Sequence, residues 1–180
     1  ARSHNIPVAE KKDSTGICFI GERKFREFLS RYIPMKDGDI VTADGKVVGK
    51  HMGVYYYTIG QRRGLGIGGS KDGTGERWFV LDKDVKTNRL IVSQGEDSVL
   101  FKKELVTEGF NFITEPKSDR FECMVRIKHR QPLEKAVAVR EGEDVHFYFE
   151  NPQRAIAPGQ YAVAYDGQIC LGGGVINRSI

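Results

Sequence analysis

Cysteine is scarce in this chain, with three in 180 residues, at positions 18, 123 and 170. Their odd number and wide spacing exclude a disulfide framework and a cysteine-rich zinc cluster, and favour a reducing compartment. Long apolar runs are missing too: none approaches the roughly 18 residues of a membrane-spanning helix, so no membrane association is expected. The opening Ala1-Arg2-Ser3-His4 lacks the apolar core of a secretory signal. The four histidines, at 4, 51, 129 and 146, have no carboxylate or cysteine at ligand spacing, which argues against a metal site. No Ser/His/Asp set, internal repeat or low-complexity tract is recognisable. The formal net charge of +4 is compatible with nucleic acid without pointing to it.

Glycine is plentiful, 21 residues in all, and it punctuates a chain with little helical periodicity. The exception spans residues 22 to about 32, where Phe25, Phe28, Leu29 and Tyr32 recur at i, i+3, i+4 and i+7 before Pro34. Asp44-Gly45 reads as a hairpin turn between residues 39–41 and 46–48. Residues 54–59, 78–81 and 89–92 are β-prone. The pattern loosens over 95–105, where a domain boundary is expected. Beyond it, short strands are expected over 122–129, 136–139, 145–149, 161–165 and 168–171, a spacing that suits a small barrel or a sandwich.

Several motifs carry two readings. Cys18 sits between Ser14-Thr15-Gly16 and an apolar run, beside Lys11, Lys12, Arg23, Lys24 and Arg26. Nearby cations favour a nucleophilic thiolate, while a buried structural cysteine is the plainer account. Gly64, Gly66 and Gly69 match G-x-G-x-x-G, but a polar loop follows them where a dinucleotide site needs a helix. Gly172-Gly173-Gly174 lacks the Lys-Ser/Thr of a phosphate loop and reads as a bulged or turning strand. Over residues 125–131 a strand would align Arg126, Lys128 and Arg130 on one face and Cys123, Val125 and Ile127 on the core side. That basic line suits a phosphate backbone, or guards an edge strand against aggregation. Tyr55-Tyr56-Tyr57 could stack on bases or fill a buried strand. Gln61-Arg62-Arg63-Gly64 is either an RNA contact or an exposed turn.

Taken together, four blocks resemble one family, the tRNA-specific 2-thiouridylases. They are Asp13-Ser14-Thr15-Gly16-Ile17-Cys18-Phe19-Ile20-Gly21; Gly49-Lys50-His51-Met52-Gly53 with Tyr57-Thr58-Ile59-Gly60-Gln61-Arg62-Arg63-Gly64-Leu65-Gly66-Ile67; Pro158-Gly159-Gln160; and Cys170-Leu171-Gly172-Gly173-Gly174. The resemblance runs across essentially the whole chain and implies the C-terminal portion of such an enzyme. It implies a mainly β fold with a short N-terminal helical segment, a small central α+β domain and a C-terminal antiparallel β-barrel. Residues 1–21 would be a linker carrying a catalytic cysteine, 22–103 the central domain and 104–180 the tRNA-binding barrel. The family's Ser-Gly-Gly-x-Asp-Ser loop and first catalytic cysteine have no counterpart here.

By that resemblance Cys18 is the second catalytic cysteine, which accepts sulfur as a persulfide from a sulfur-relay protein or cysteine desulfurase. Lys128, His129 and Gln160 match tRNA contacts. The family usually has Arg-Tyr where this chain has Lys128-His129, so the charge and a stackable ring are kept while the bidentate fork is lost. ATP, with magnesium assumed beside it, belongs to the full-length enzyme, and no residue here matches its site. The expected location is the cytoplasm, with an organelle as the other option. A stand-alone barrel that grips structured RNA, with Cys18 merely structural, is the competing expectation.

Overall fold

Turn chemistry accounts for much of the strand layout. The computed structural model describes residues 25–68, 75–95, 98–129 and 131–180, and these fall into two compact units divided after Met35. The first unit holds helix α1 (Phe25–Leu29), shorter than the span the periodicity predicts. Its end tightens as the Arg31 and Tyr32 N–H groups donate to the carbonyls three residues back, at 3.3 and 3.0 Å. Pro34 then cannot continue it and biases Ile33 away from helical backbone. Phe28 and Tyr32 still meet ring to ring at 5.2 Å, as their four-residue spacing requires. Residues 1–24, including Cys18 and the first resemblance block, lie outside the described residues.

The second unit opens with the expected hairpin. Strands β1 (Gly38–Thr42) and β2 (Val47–His51) pair antiparallel across a turn in which Gly45 has φ 88°. With β3 (Trp78–Asp84) and β4 (Arg89–Gln94) they form a four-stranded sheet of order β2-β1-β4-β3, mixed because β1 and β4 run parallel.

Residues 54–59 correct the strand expectation. Val54–Tyr56 is a 3₁₀ turn, closed by Tyr56 N–H to Gly53 O at 3.1 Å and Tyr57 N–H to Val54 O at 3.3 Å. The cause lies upstream, in the backbone: Gly53 has φ 137°, and its N–H donates to Nδ1 of buried His51 at 2.9 Å. Val54, Tyr56 and Tyr57 fill the core while Tyr55 is exposed. Aromatic β-propensity is overridden because it measures how side chains pack, not where the backbone is pinned.

Since Nδ1 of His51 accepts that bond, its Nε2 carries the proton and donates to Asn88 O at 3.1 Å, tying β2 to the β3–β4 turn. Burial holds the His51 pKa below its ordinary 6.5, against the opposing pull of the Asn88 carbonyl, Asp39 and Asp37. A depressed folded-state pKa means the stabilisation is complete above about pH 6.5 and is lost as pH falls toward the folded value. The midpoint of thermal unfolding is therefore expected to drop from about pH 7 to about pH 5, and His51→Gln to flatten that drop. An unchanged profile in the variant would assign the acid sensitivity to other groups.

The remaining six strands close an antiparallel barrel, β10-β5-β8-β7-β6-β9, with β9 returning to β10. They are β5 (Phe101–Phe112), β6 (Arg120–Arg126), β7 (Glu134–Glu141), β8 (Asp144–Arg154), β9 (Tyr161–Asp166) and β10 (Ile169–Ser179). Phe147 lies fully buried in the core with Ala138, Ala162 and Ala164, a large-and-small alternation that fills a narrow interior. Gly172–Gly174 lies within β10 where its register shifts against both neighbours, so that strand passes close to β5. Buried Thr107 repairs the β5–β8 ladder: its hydroxyl donates to Val145 O and accepts from Val145 N–H, both at 3.1 Å.

Strand β6 ends at Arg126, three residues short of the expected 129. The chain then turns, with Gln131 N–H on Lys128 O at 3.1 Å, and Pro132 offers no N–H to a ladder. Cys123, Val125 and Ile127 are buried as the alternation requires, but Lys128 belongs to the turn rather than to a strand face, and Arg130 lies outside the described residues.

Sheet and barrel share a seam. Leu81, Leu100 and Ala155 are buried there with Ile59, Phe79 and Ile91 against them, and Gly60 N–H donates to Val80 O at 2.7 Å. A Cβ on Gly60 would lie 2.6 Å from that of Ala155, so only glycine permits the approach.

Candidate nucleic-acid interface

Two separate turns deliver side chains to one concavity of about 370 Å³ on the barrel, lined by Arg126, Ile127, Lys128, His129, Gln160, Tyr161 and Val163. The first follows β6. Pairing of Arg126 with Val163 of β9 brings the end of β6 beside the start of β9, and so places residues 126–129 against 160–163. The second is Ala157-Pro158-Gly159-Gln160. Proline at the second position, glycine at φ 84° in the third and a Gln160 N–H to Ala157 O bond at 3.3 Å give a type II turn. It is pinned to β10 on both sides, by Gly159 N–H to Ile176 O at 2.8 Å and Ile176 N–H to Gln160 O at 2.7 Å.

Two polar atoms here are left unmatched by the fold. Gln160 Oε1 and Arg126 Nε are buried and have no hydrogen-bond partner. A buried unmatched donor or acceptor costs about 1–3 kcal/mol, which a ligand supplying the partner would recover. Lys128 is half-buried, with its ammonium donating to the Arg154 carbonyl. Burial, and secondarily the Arg154 charge, hold its pKa below the usual lysine value. No carboxylate pairs with it among the described residues. An arriving anion would therefore satisfy a charge that the fold leaves uncompensated. His129 and Tyr161 are exposed at the rim, and rings so placed can stack on bases.

The structure thus gathers Lys128, His129 and Gln160, singled out in the sequence, and adds Tyr161, Val163 and the Arg154 carbonyl, which were not. Tyr161 carried a signal in directly following the Pro-Gly-Gln turn. Arg154 carried none, because its role is a backbone carbonyl.

The other cysteines are poor nucleophile candidates or uncommitted. Cys123 and Cys170 are free thiols, and burial pushes the Cys123 pKa up to about 12. Among the described residues no three His, Cys, Asp or Glu side chains gather to hold a metal. No described helix is long and apolar enough to cross a membrane.

The mixed sheet and the closed barrel each overlap the match to one known family. Residues 26–94 match the tRNA methyl transferase PRC-barrel domain, and residues 102–176 match the Aminomethyltransferase beta-barrel domain. Full-chain relatives narrow this. The tRNA-specific 2-thiouridylase MnmA of Burkholderia ambifaria (strain AMMD) is 51% identical over 174 residues, covering 95% of this chain and 45% of the relative. That of Burkholderia pseudomallei (strain 1106a) is 51% identical over 97% of this chain and 47% of its own length. The Escherichia coli O1:K1 / APEC protein is 47% identical over 100% and 50% respectively. The chain belongs to the tRNA-specific 2-thiouridylase family, corresponding to its C-terminal portion, and spans about half the length of the curated relatives it matches.

Proposed function

We propose that this chain docks tRNA on the barrel concavity and carries, on Cys18, the sulfur that becomes 2-thiouridine at the wobble position. The observation that carries the docking half is the convergence of Lys128, His129 and Gln160, with unmatched buried atoms on Gln160 and Arg126, at one concave site. Phosphate contacts by Lys128 would set register and orientation, and the glutamine amide and rim rings would meet bases.

In the sulfur half, Cys18 Sγ takes a sulfane sulfur from a relay protein or cysteine desulfurase and becomes a persulfide. Its terminal sulfur bonds to C2 of a uridine whose 2-oxygen has been adenylated at the expense of ATP, and AMP leaves with that oxygen. A second cysteine thiolate, which the family carries outside the segment matched here, attacks Cys18 Sγ. That breaks the S–S bond, leaves the transferred sulfur on the base and forms a disulfide, which an external thiol then reduces.

Docking is tested with Lys128→Ala. Its tRNA affinity is expected to fall and the slope of log K against log salt to shrink by about one. Equal slopes for both chains would reduce Lys128 to a cap on the Arg154 carbonyl.

A further inference from the structure

We propose that a groove on the four-stranded sheet is a second RNA contact, gripping phosphates of the same tRNA; this rests on the docking reading above. The groove, about 460 Å³, lies between the β2–β3 connection and the start of β3, and is lined in part by Arg62, Arg63, Arg77, Trp78, Glu76 and Gln94. Among the described residues the lining holds three arginines and one carboxylate, Glu76. None of the three arginines forms an ion pair among the described residues.

An independent observation points to the ligand's chemistry. The Nε1–H of Trp78 is buried and has no hydrogen-bond partner. Indole nitrogen only donates, so what it lacks is an acceptor. A phosphate oxygen is an acceptor and an anion, answering both the indole and the guanidinium forks, which bind phosphate in two-point fashion. The backbone is open to close approach as well. Gly66, at φ 68°, and Gly68 have nothing within 4 Å of where a Cβ would stand.

Arg154 links the barrel concavity to the loop that enters the groove. Arg154 takes the Lys128 ammonium on its carbonyl, and its guanidinium lies 5.2 Å from the centre of the Phe79 ring. One guanidinium nitrogen of Arg154 also stands 3.5 Å from the Cβ position of Gly60, two residues before Arg62. Arg154 thus adjoins both Lys128 and the start of the loop that leads to Arg62 and Arg63. This assigns a role to Gln61-Arg62-Arg63-Gly64, which the sequence leaves open between RNA contact and exposed turn.

Trp78 is the only tryptophan in the chain and reports directly on the groove. An unmodified tRNA transcript would be titrated into the chain at several salt concentrations, following Trp78 emission and, separately, the anisotropy of end-labelled tRNA. Binding is expected to change the emission. The double variant Arg62→Gln/Arg63→Gln is expected to lose that change, to bind tRNA about tenfold or more weakly, and to lower the salt slope by between about one and two. Lys128→Ala should keep the emission change at higher RNA concentration. The groove assignment is overturned if labelled tRNA binds with Lys128-dependent affinity while Trp78 stays silent and the double variant keeps the full slope. It is equally overturned if an acidic protein, and not tRNA, moves the emission. If the tRNA binds no variant and not the parent chain, it is the docking reading itself that fails.

Discussion

Cys18→Ser is expected to abolish persulfide formation on this chain and, in a protein that also carries the family's ATP-using domain, to abolish tRNA thiolation, while tRNA affinity stays at the parent level. Sulfane transfer needs a thiolate that can attack a donor persulfide and later leave as part of a disulfide, and a serine alkoxide can do neither under these conditions. The described cysteines sharpen the test. A thiol pushed up to about 12 by burial, as at Cys123, presents almost no thiolate to a donor at neutral pH. Cys170 is only half-buried and serves as the internal control. After incubation with a cysteine desulfurase and cysteine, intact-mass and peptide analysis should find one added sulfur atom, on the peptide holding Cys18. Retained thiolation in Cys18→Ser would remove the cysteine from the chemistry and leave an RNA-binding barrel.

Gly172→Ala is expected to cost about 3–5 kcal/mol, a large share of the stability of an ordinary domain. A Cβ there would lie 2.2 Å from the Asn111 carbonyl oxygen, 2.8 Å from the Phe110 ring and 3.0 Å from the Phe112 Cα. Two of these are backbone or adjoin it in the paired strand, so no rotamer change relieves them. Gly142→Ala provides the comparison. Gly142 has φ 69° with nothing within 4 Å of the added carbon, and so should lose only the roughly 1–2 kcal/mol of a left-handed non-glycine residue. Urea midpoints of the two variants separate crowding from backbone preference. Equal losses would mean that close strand approach is not what demands glycine at 172.

Legibility in the sequence followed how local each cause is. Strands β6 to β10 announce themselves because half-buried strands alternate with period two, as in Cys123, Val125 and Ile127. Strand β5 was hidden. Its register slips between Lys102 and Glu104, Leu105, Val106 and Thr107 are buried in succession, and Gly109 interrupts the run. The 3₁₀ turn at Val54 was misread because its cause is His51 and Gly53 rather than the tyrosines. At the candidate site, Lys128, His129 and Gln160 are singled out by family resemblance, but that they line one concavity is not readable from the sequence. The proximity of residues 126–129 to 160–163 depends on the β6–β9 pairing, which no local pattern encodes.

The strand order has a consequence for biosynthesis. Because β10 pairs with both β5 and β9, the barrel stays an open sheet, with two unsatisfied edges, until the ribosome has released β10. The core around Phe147 is therefore sealed late, after a loop from β5 to β10 has closed, and the nascent chain is most exposed to proteases and to strand exchange with its neighbours in that interval.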